Sequence, residues 1–433
     1  MKHVEQDTIF AIASGAGRAA VAVLRVSGPG SAFIIESLCG SRPAARRVSL
    51  RRLRDGTGAV LDQALVLWLP GPGTYTGEDC AELHLHGGRA VREAVSEALV
   101  ALGARPAEAG EFTRRAFLNG RMDLTEAEAV ADLVEAETSA QRTQALRQME
   151  GALGALYAGW AGRLRILLAQ QEALIDFPDE DLPPDVEAGV RAEMEALLGE
   201  VRAHLDDGGR GERLREGLVF AMSGAPNVGK SSLVNALAGR DVAIVSPAAG
   251  TTRDAIETRV VLGGVPVTLV DTAGLRESED PVEAEGVRRA RARAEAADLV
   301  VAVVDASELV QPEVREGSRV LVVANKSDLA AGDGADVAVS ALTGAGLEVL
   351  RERLAAVARE LTAGEGPPPL TRARHRAALT EAAYRLRTAA TADLPELRAE
   401  DLRLAMRAIG RVTGAVGVED ILDVVFAQFC IGK

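Results

Sequence analysis

A stretch of eight residues, Gly224-Ala-Pro-Asn-Val-Gly-Lys-Ser231, leaves the middle of this chain little choice of architecture. The apolar run 218–222 before it reads as a buried strand, and residues 232–237 after it read as the start of a helix. A glycine-rich loop in that setting turns successive backbone N–H groups inward on an anion, which predicts a phosphate cradle inside an α/β domain. Asn227, Val228, Gly229 and Ser232 belong to the cradle. Lys230 supplies a point charge at the β and γ oxygens, and the Ser231 hydroxyl suits Mg²⁺. Taken alone, the eight residues also fit an ordinary glycine-rich turn; the signatures downstream argue against that.

Asn325-Lys-Ser-Asp328 follows the apolar run 320–324, which reads as another central strand. The Asp328 carboxylate can accept from both N1–H and the exocyclic amine of guanine. Adenine presents a lone pair at N1 and would leave that charge unpaired, so the pattern selects guanine over adenine. Asn325 is expected to tie the loop together and Lys326 to lie along the base. Ser340, Ala341 and Leu342, after the apolar 337–339, fit a second base contact through backbone N–H groups. Asp271-Thr272-Ala273-Gly274 closes the strand 265–270, with Asp271 placed for a water-mediated Mg²⁺ contact and Gly274 for the γ-phosphate. Leu275 stands where many small switch GTPases carry a water-orienting Gln, so hydrolysis must be organised by another group.

A chain of 433 residues has room for about three domains. No apolar run approaches a membrane span and no basic-then-apolar leader opens the sequence, so a cytoplasmic protein is expected. Three scattered cysteines, Cys39, Cys80 and Cys430, exclude a disulfide framework and a closed zinc ligand set. The terminal Cys-Ile-Gly-Lys has the length of a prenylation box but the wrong last residues. A formal net charge of -14 argues against a protein coated for nonspecific nucleic-acid binding. Two basic clusters interrupt it: Arg42, Arg46, Arg47, Arg51, Arg52 and Arg54, then Arg288, Arg289, Arg291 and Arg293. Solvated faces and interaction surfaces both fit them.

Residues 1–120 alternate short strands (19–26, 64–69, 81–86) with helix (89–102), an α+β pattern. Residues 121–214 are almost wholly helix-prone, interrupted at 176–184. The nucleotide domain is expected over 215–361, and 362–433 is helical again after a Gly/Pro-rich linker at 364–369. A tail of roughly 60 residues has a marginal core alone. The economical fold is therefore multidomain: an α+β N-terminal domain, an all-α domain made of both helical stretches, and an inserted α/β P-loop domain.

Further blocks run the length of the chain: Leu24-Arg-Val-Ser-Gly28, Thr76-Gly-Glu-Asp79, His86-Gly-Gly88, Gly110-Glu-Phe112, Ala116-Phe-Leu-Asn119, Ile175-Asp-Phe-Pro-Asp179, Gly250-Thr-Thr-Arg-Asp254 and Phe429-Cys-Ile-Gly-Lys433. In this order, with that terminus, the chain closely resembles the bacterial tRNA uridine-modifying GTPase family, MnmE or TrmE. The resemblance implies GTP hydrolysis to GDP and action with an FAD-containing partner of the MnmG (GidA) type, in a heterotetramer. The expected product is tRNA modified at C5 of the wobble uridine, position 34. It also implies a dimerising N-terminal domain that binds 5-formyltetrahydrofolate or a related folate, with contacts mapping to Arg25, Glu82, Arg121 and Lys433. Relatives can carry Lys where Arg121 stands, a different shape with the same charge.

The same resemblance implies how hydrolysis proceeds without the glutamine. Asn227 would ligate K⁺ together with Ser246, Ala248 and Thr251 of the loop Ser246-Pro247-Ala248-Ala249-Gly250-Thr251-Thr252, and Thr252 would join Ser231 on Mg²⁺. Glu283 would orient the attacking water; the residues alone rank Glu277, Glu279 and Glu285 beside it. Potassium and nucleotide would bring the two GTPase domains of a homodimer together. Read from the residues alone, Glu82, His84 and His86 share one strand face, which also fits an H-x-H metal site or plain surface. Two other functional classes stay open: a GTP switch in ribosome assembly without base modification, and a folate-dependent one-carbon transferase with a regulatory GTPase domain.

Overall fold

The computed structural model describes residues 7–15, 17–176, 184–239, 257–272, 288, 291–308, 317–364, 367–417 and 419–432. They divide into two compact units, Met1–Val134 with Gln148–Val190 and Thr388–Lys433, and Glu135–Arg147 with Arg191–Arg387. Elements are labelled in chain order.

The first unit is built on a six-stranded sheet in the order β3-β4-β5-β2-β1-β6. Its strands are β1 (Ile9–Ile12), β2 (Val21–Ser27), β3 (Ser49–Arg54), β4 (Val60–Leu69), β5 (Cys80–His86) and β6 (Arg105–Pro106). Side chains alternate across a strand. Leu24 and Val26 of β2, Val66 of β4 and Leu83 and Leu85 of β5 form one core with residues of α1 (Ser31–Cys39) and α2 (Arg89–Ala101). The other face carries Arg25, Glu82 and His84. On the β1 side Phe112 of α3 (Glu111–Leu118) clusters with Ile9 and Ala11. Helices follow: α4 (Leu124–Glu135), then α6 (Ala152–Asp176), which packs against α12 (Pro395–Thr413). Pro395 starts α12, where its missing N–H costs nothing, and Gly414 ends it in the left-handed region. Leu422, Val425 and Phe426 of α13 (Glu419–Phe426) close on Leu124 and Val130 of α4.

The second unit carries the order β12-β11-β10-β7-β9-β8, all parallel except the β8–β9 pair. These strands are β7 (Leu218–Ser223), β8 (Glu257–Leu262), β9 (Val265–Asp271), β10 (Leu299–Asp305), β11 (Val320–Asn325) and β12 (Val337–Ala338). Every residue of β9 is buried, as expected of a strand covered on both faces. The helix α9 (Lys230–Ala238) contributes Leu233 and Leu237 to the core, and α10 (Leu347–Thr362) contributes Leu347, Leu350, Leu354 and Ala358 at helical spacing. Parallel strands aim their C-terminal ends at one edge, so residues 224–231, 271–272 and 325–328 gather there.

Four helical segments complete this unit: α5 (Ser139–Met149), α7 (Pro184–Leu205), α8 (Arg210–Glu216) and α11 (Ala373–Thr391), the first, second and fourth each continuing into the other unit. Arg376 of α11 holds the Leu205 carbonyl at 2.6 Å, Asp207 at 2.8 Å and Glu212 at 3.1 Å. Arg213 of α8 reaches Asp298 at 2.9 Å, which also accepts from the Val219 N–H of β7. Among the described residues no helix is long and apolar enough to cross a membrane.

Candidate functional site

The phosphate loop is held from both ends. Gly229 has φ +94°, and a Cβ there would lie 2.2 Å from Asn325 Nδ2, so this position admits only glycine on both counts. Asn227 also takes a positive φ, 64°. Lys230 begins α9 with its side chain folded back over the loop, donating to the Gly224 and Ala225 carbonyls at 2.8 Å each. Burial holds its ammonium below the usual lysine range, against the pull of Asp271. The Ser231 hydroxyl donates to Asp271 at the end of β9, and Thr272 anchors the next turn by donating to the Met222 carbonyl at 2.7 Å. A hydroxyl and a carboxylate side by side at a helix N-terminus form an all-oxygen donor set that fits Mg²⁺.

Asn325 joins three loops. Its Nδ2 donates to the Val228 carbonyl at 2.8 Å, while its Oδ1 accepts the Ala341 N–H at 3.0 Å. The buried Ser340 accepts the Thr343 N–H at 3.2 Å, and the Ser327 N–H reaches the Val339 carbonyl at 2.9 Å. Asp328 and Leu342 are exposed beside this junction. Lys326 has φ 65°, and its ammonium meets Asp305 at 2.7 Å. That hydrogen bond from Lys326, with further ones from Ser307, holds the Asp305 carboxyl down at about 2. Asp305 is a member of the site that sequence reasoning missed. The available signal was a lone carboxylate ending the apolar strand 299–304, one loop from Asn325.

The first unit holds a second constellation. Arg25 and Glu82 are opposite neighbours on β2 and β5 and pair at 3.0 Å, each about one quarter to one fifth exposed. The Arg25 guanidinium lies 5.6 Å from the Tyr75 ring and 5.9 Å from that of Phe112. Arg121 runs beside Gly77, where a Cβ would come 3.3 Å from its Cγ. Arg25 and Arg121 therefore border the same 74–79 loop, through Tyr75 and Gly77. The Arg121 guanidinium has no hydrogen-bond or ion-pair partner among the described residues. The chain terminus arrives as well: the Gly110 N–H points to the Cys430 carbonyl, Ile431 bridges Ala109, and a Cβ on Gly432 would lie 2.6 Å from the Ile12 carbonyl. Cys430 is exposed. A guanidinium and a carboxylate flanked by rings fit a folate's carboxylate and its pterin N–H edge.

The metal alternative for the β5 histidines finds no support among the described residues, which contain no group of three His, Cys, Asp or Glu arranged to hold an ion. His84 lies 3.5 Å from Glu82, and His86 Nδ1 meets the buried Asp62 at 2.7 Å, so the histidines have separate carboxylates. Ser246, Pro247, Ala248, Ala249, Gly250, Thr251, Thr252, Ala273, Gly274, Glu283 and Lys433 lie outside the described residues.

Residues 8–121 match a family model described as the GTP-binding protein TrmE N-terminus, and residues 124–430 match one described as the MnmE helical domain. The tRNA modification GTPase MnmE of Gluconacetobacter diazotrophicus is 62% identical over 435 residues, covering 99% of each chain. Its namesake from Granulibacter bethesdensis is 58% identical over 440 residues, covering 99% of this chain and all of the relative. Matched from end to end in this way, the chain belongs to the family of the tRNA modification GTPase MnmE.

Proposed function

We propose that this GTPase acts with an FAD-containing partner protein, as a homodimer within a heterotetramer in the cytoplasm, to modify C5 of the wobble uridine of certain tRNAs. A tetrahydrofolate, bound between Arg25, Glu82, Arg121 and Lys433, would supply the one-carbon unit. What carries the reading is the presence, in one chain matched along its whole length, of guanine-type loops and the ring-flanked Arg25–Glu82 pair.

Lys230 and the loop N–H groups grip the β and γ phosphates, and Asp328 reads the guanine edge while Lys326 lies along its face. Ser231, with Thr252 and by way of Asp271, would hold Mg²⁺, which offsets charge on the transferring phosphoryl group. Asn227 would hold K⁺ with Ser246, Ala248 and Thr251, supplying further positive charge at the phosphates. Glu283 orients the attacking water in place of the missing glutamine. Domain closure on GTP and reopening after cleavage would move the tRNA-modifying parts.

Mass spectrometry of wobble nucleosides from a strain lacking this chain tests the reading. Unmodified uridine should accumulate at position 34 of the affected tRNAs. Intact modification accompanied by a ribosome-assembly defect would replace it with the regulatory switch.

A further inference from the structure

The arginine cluster at residues 42–54 folds into a surface unlike the rest of its unit. Many arginines elsewhere in the unit rest on carboxylates: Arg25 on Glu82, Arg89 on Glu93, Arg105 and Arg115 on Glu111, Arg398 on Glu187 and Arg403 on Glu172. Between residues 37 and 54 there are six arginines and no Asp or Glu. Only Arg42 finds an acid, Glu36 at 3.2 Å, while its guanidinium lies 5.6 Å from the Trp68 ring. Arg46 and Arg54 donate to backbone carbonyls of Gly73 and Gly58, and Arg51 to that of Leu50. Arg47 and Arg52 are exposed, and their guanidinium groups have no hydrogen-bond or ion-pair partner among the described residues. The other basic cluster is already engaged in part, with Arg293 on Glu257 at 2.6 Å.

Position adds a second argument. These arginines run along and into β3, one of the two edge strands of the described sheet. Arg52 stands opposite Gln63, and Leu50, Leu65, His84 and Val23 form the next cross-strand row on that face. Two residues along, the same face carries Glu82 and Arg25. Directly opposed residues in antiparallel pairs share a face. With strands about 4.8 Å apart and ~3.3 Å per residue along them, the four-residue offset puts Arg52 ~16 Å from Glu82, two strands away, and ~20 Å from Arg25, three strands away.

In a chain of net charge -14, a polyanion is repelled by most of the surface and admitted where cations stand uncompensated. Each backbone phosphate needs one cation, and guanidinium matches phosphate in fork geometry. We infer that the β3 edge, through Arg47, Arg52 and their neighbours, binds the phosphate backbone of the tRNA substrate and lays it across the sheet face that carries Arg25 and Glu82. This rests on the tRNA reading above. An interleaved row of both signs would have suited a folded protein partner better than six cations in sequence.

The full-length Arg47→Ala/Arg52→Ala variant tests it, since neither side chain supports the fold through a partner. Its thermal midpoint and its GTP turnover without tRNA should equal wild type. Fluorescence anisotropy with an unmodified tRNA transcript, over roughly 50–200 mM KCl, should show weaker binding and a salt dependence shallower by ~1.5, at ~0.7–0.9 per lost contact. The corresponding double lysine variant should keep the wild-type slope. An alanine variant matching wild type in affinity and slope overturns the inference. So does unchanged tRNA binding with loss of co-elution with the flavoprotein partner, which would make this a protein-docking edge. Wild type that binds no tRNA even with that partner present would remove the tRNA reading itself.

Discussion

Asp305 ends β10 with its carboxylate on the Lys326 ammonium, and that pairing sets the direction of a long side chain that would otherwise sample many rotamers. A half-buried surface ion pair of this kind contributes little to stability. Its value lies in placing the lysine stem before the base arrives. Asp305→Ala should therefore weaken GDP and GTP affinity several-fold in calorimetry while leaving the thermal midpoint of the protein nearly unmoved. The folded carboxyl sits at about 2 against an ordinary 3.8, so the pairing is complete above about pH 4 and is lost only as pH falls through about 2. Nucleotide affinity should then show no Asp305-dependent change between pH 5 and 8 (roughly the physiological window). Gly229→Ala is the harsher change. Its methyl would displace Asn325 Nδ2 from the Val228 carbonyl and force a strained φ, costing about 1–3 kcal/mol. Guanine-nucleotide binding should be lost, and retained binding would show that the three-loop junction is dispensable.

Elements were legible where a single periodicity governed them. The strands 218–222 and 320–324 carry continuous apolar runs and 265–270 one broken only by Thr268, as suits strands of a covered sheet, and β7, β9 and β11 extend each by one residue at its C-terminal end. The edge strand β3 was not legible as a strand: Ser-Leu-Arg-Arg-Leu-Arg reads as a solvated basic run, and only pairing with β4 makes it one. The helical stretches gave no hint of a buried imidazole pair. His204 of α7 and His375 of α11 are 2% and 0% exposed. Burial, the largest influence, drives the His204 imidazole down from 6.5 to about 4; Asp207 opposes this and nearby arginines assist it. A histidine depressed in the folded state binds more protons when unfolded, so its contribution is whole above about pH 6.5 and is lost as pH falls toward about 4. The change is on the order of 3 kcal/mol. Thermal melts from pH 7 to 4 (spanning roughly this window) should fall more steeply for wild type than for His204→Gln. Parallel curves would assign acid sensitivity to other groups.

At the scale of the molecule, the proposed mechanism has no glutamine after Gly274, and hydrolysis would rely instead on K⁺ and on Glu283. GTP turnover should drop by at least about tenfold when sodium replaces potassium, a part of the ~10³–10⁵ that such charge compensation is worth elsewhere. Glu283→Ala should spare GTP binding and suppress turnover; equal rates in both salts, or an unaffected variant, would remove the corresponding group from the mechanism.

The chain order alone determined that a guanine-nucleotide site must form, because phosphate cradling and base discrimination are local: a few backbone N–H groups and one carboxylate on short loops suffice. Composition and spacing also led to the expectation of helix over 121–214, outside the interruption at 176–184, and over 362–433, and the described helices of those stretches agree with it. Which distant residues meet was decided by tertiary structure. Cross-strand register brought Arg25 to Glu82, sheet order put an arginine run on an open edge, and packing of the last residues beside Ile12 and Ala109 brought the terminus to the same unit. Such contacts depend on loop closure and burial summed over the whole chain, and no local pattern encodes that sum.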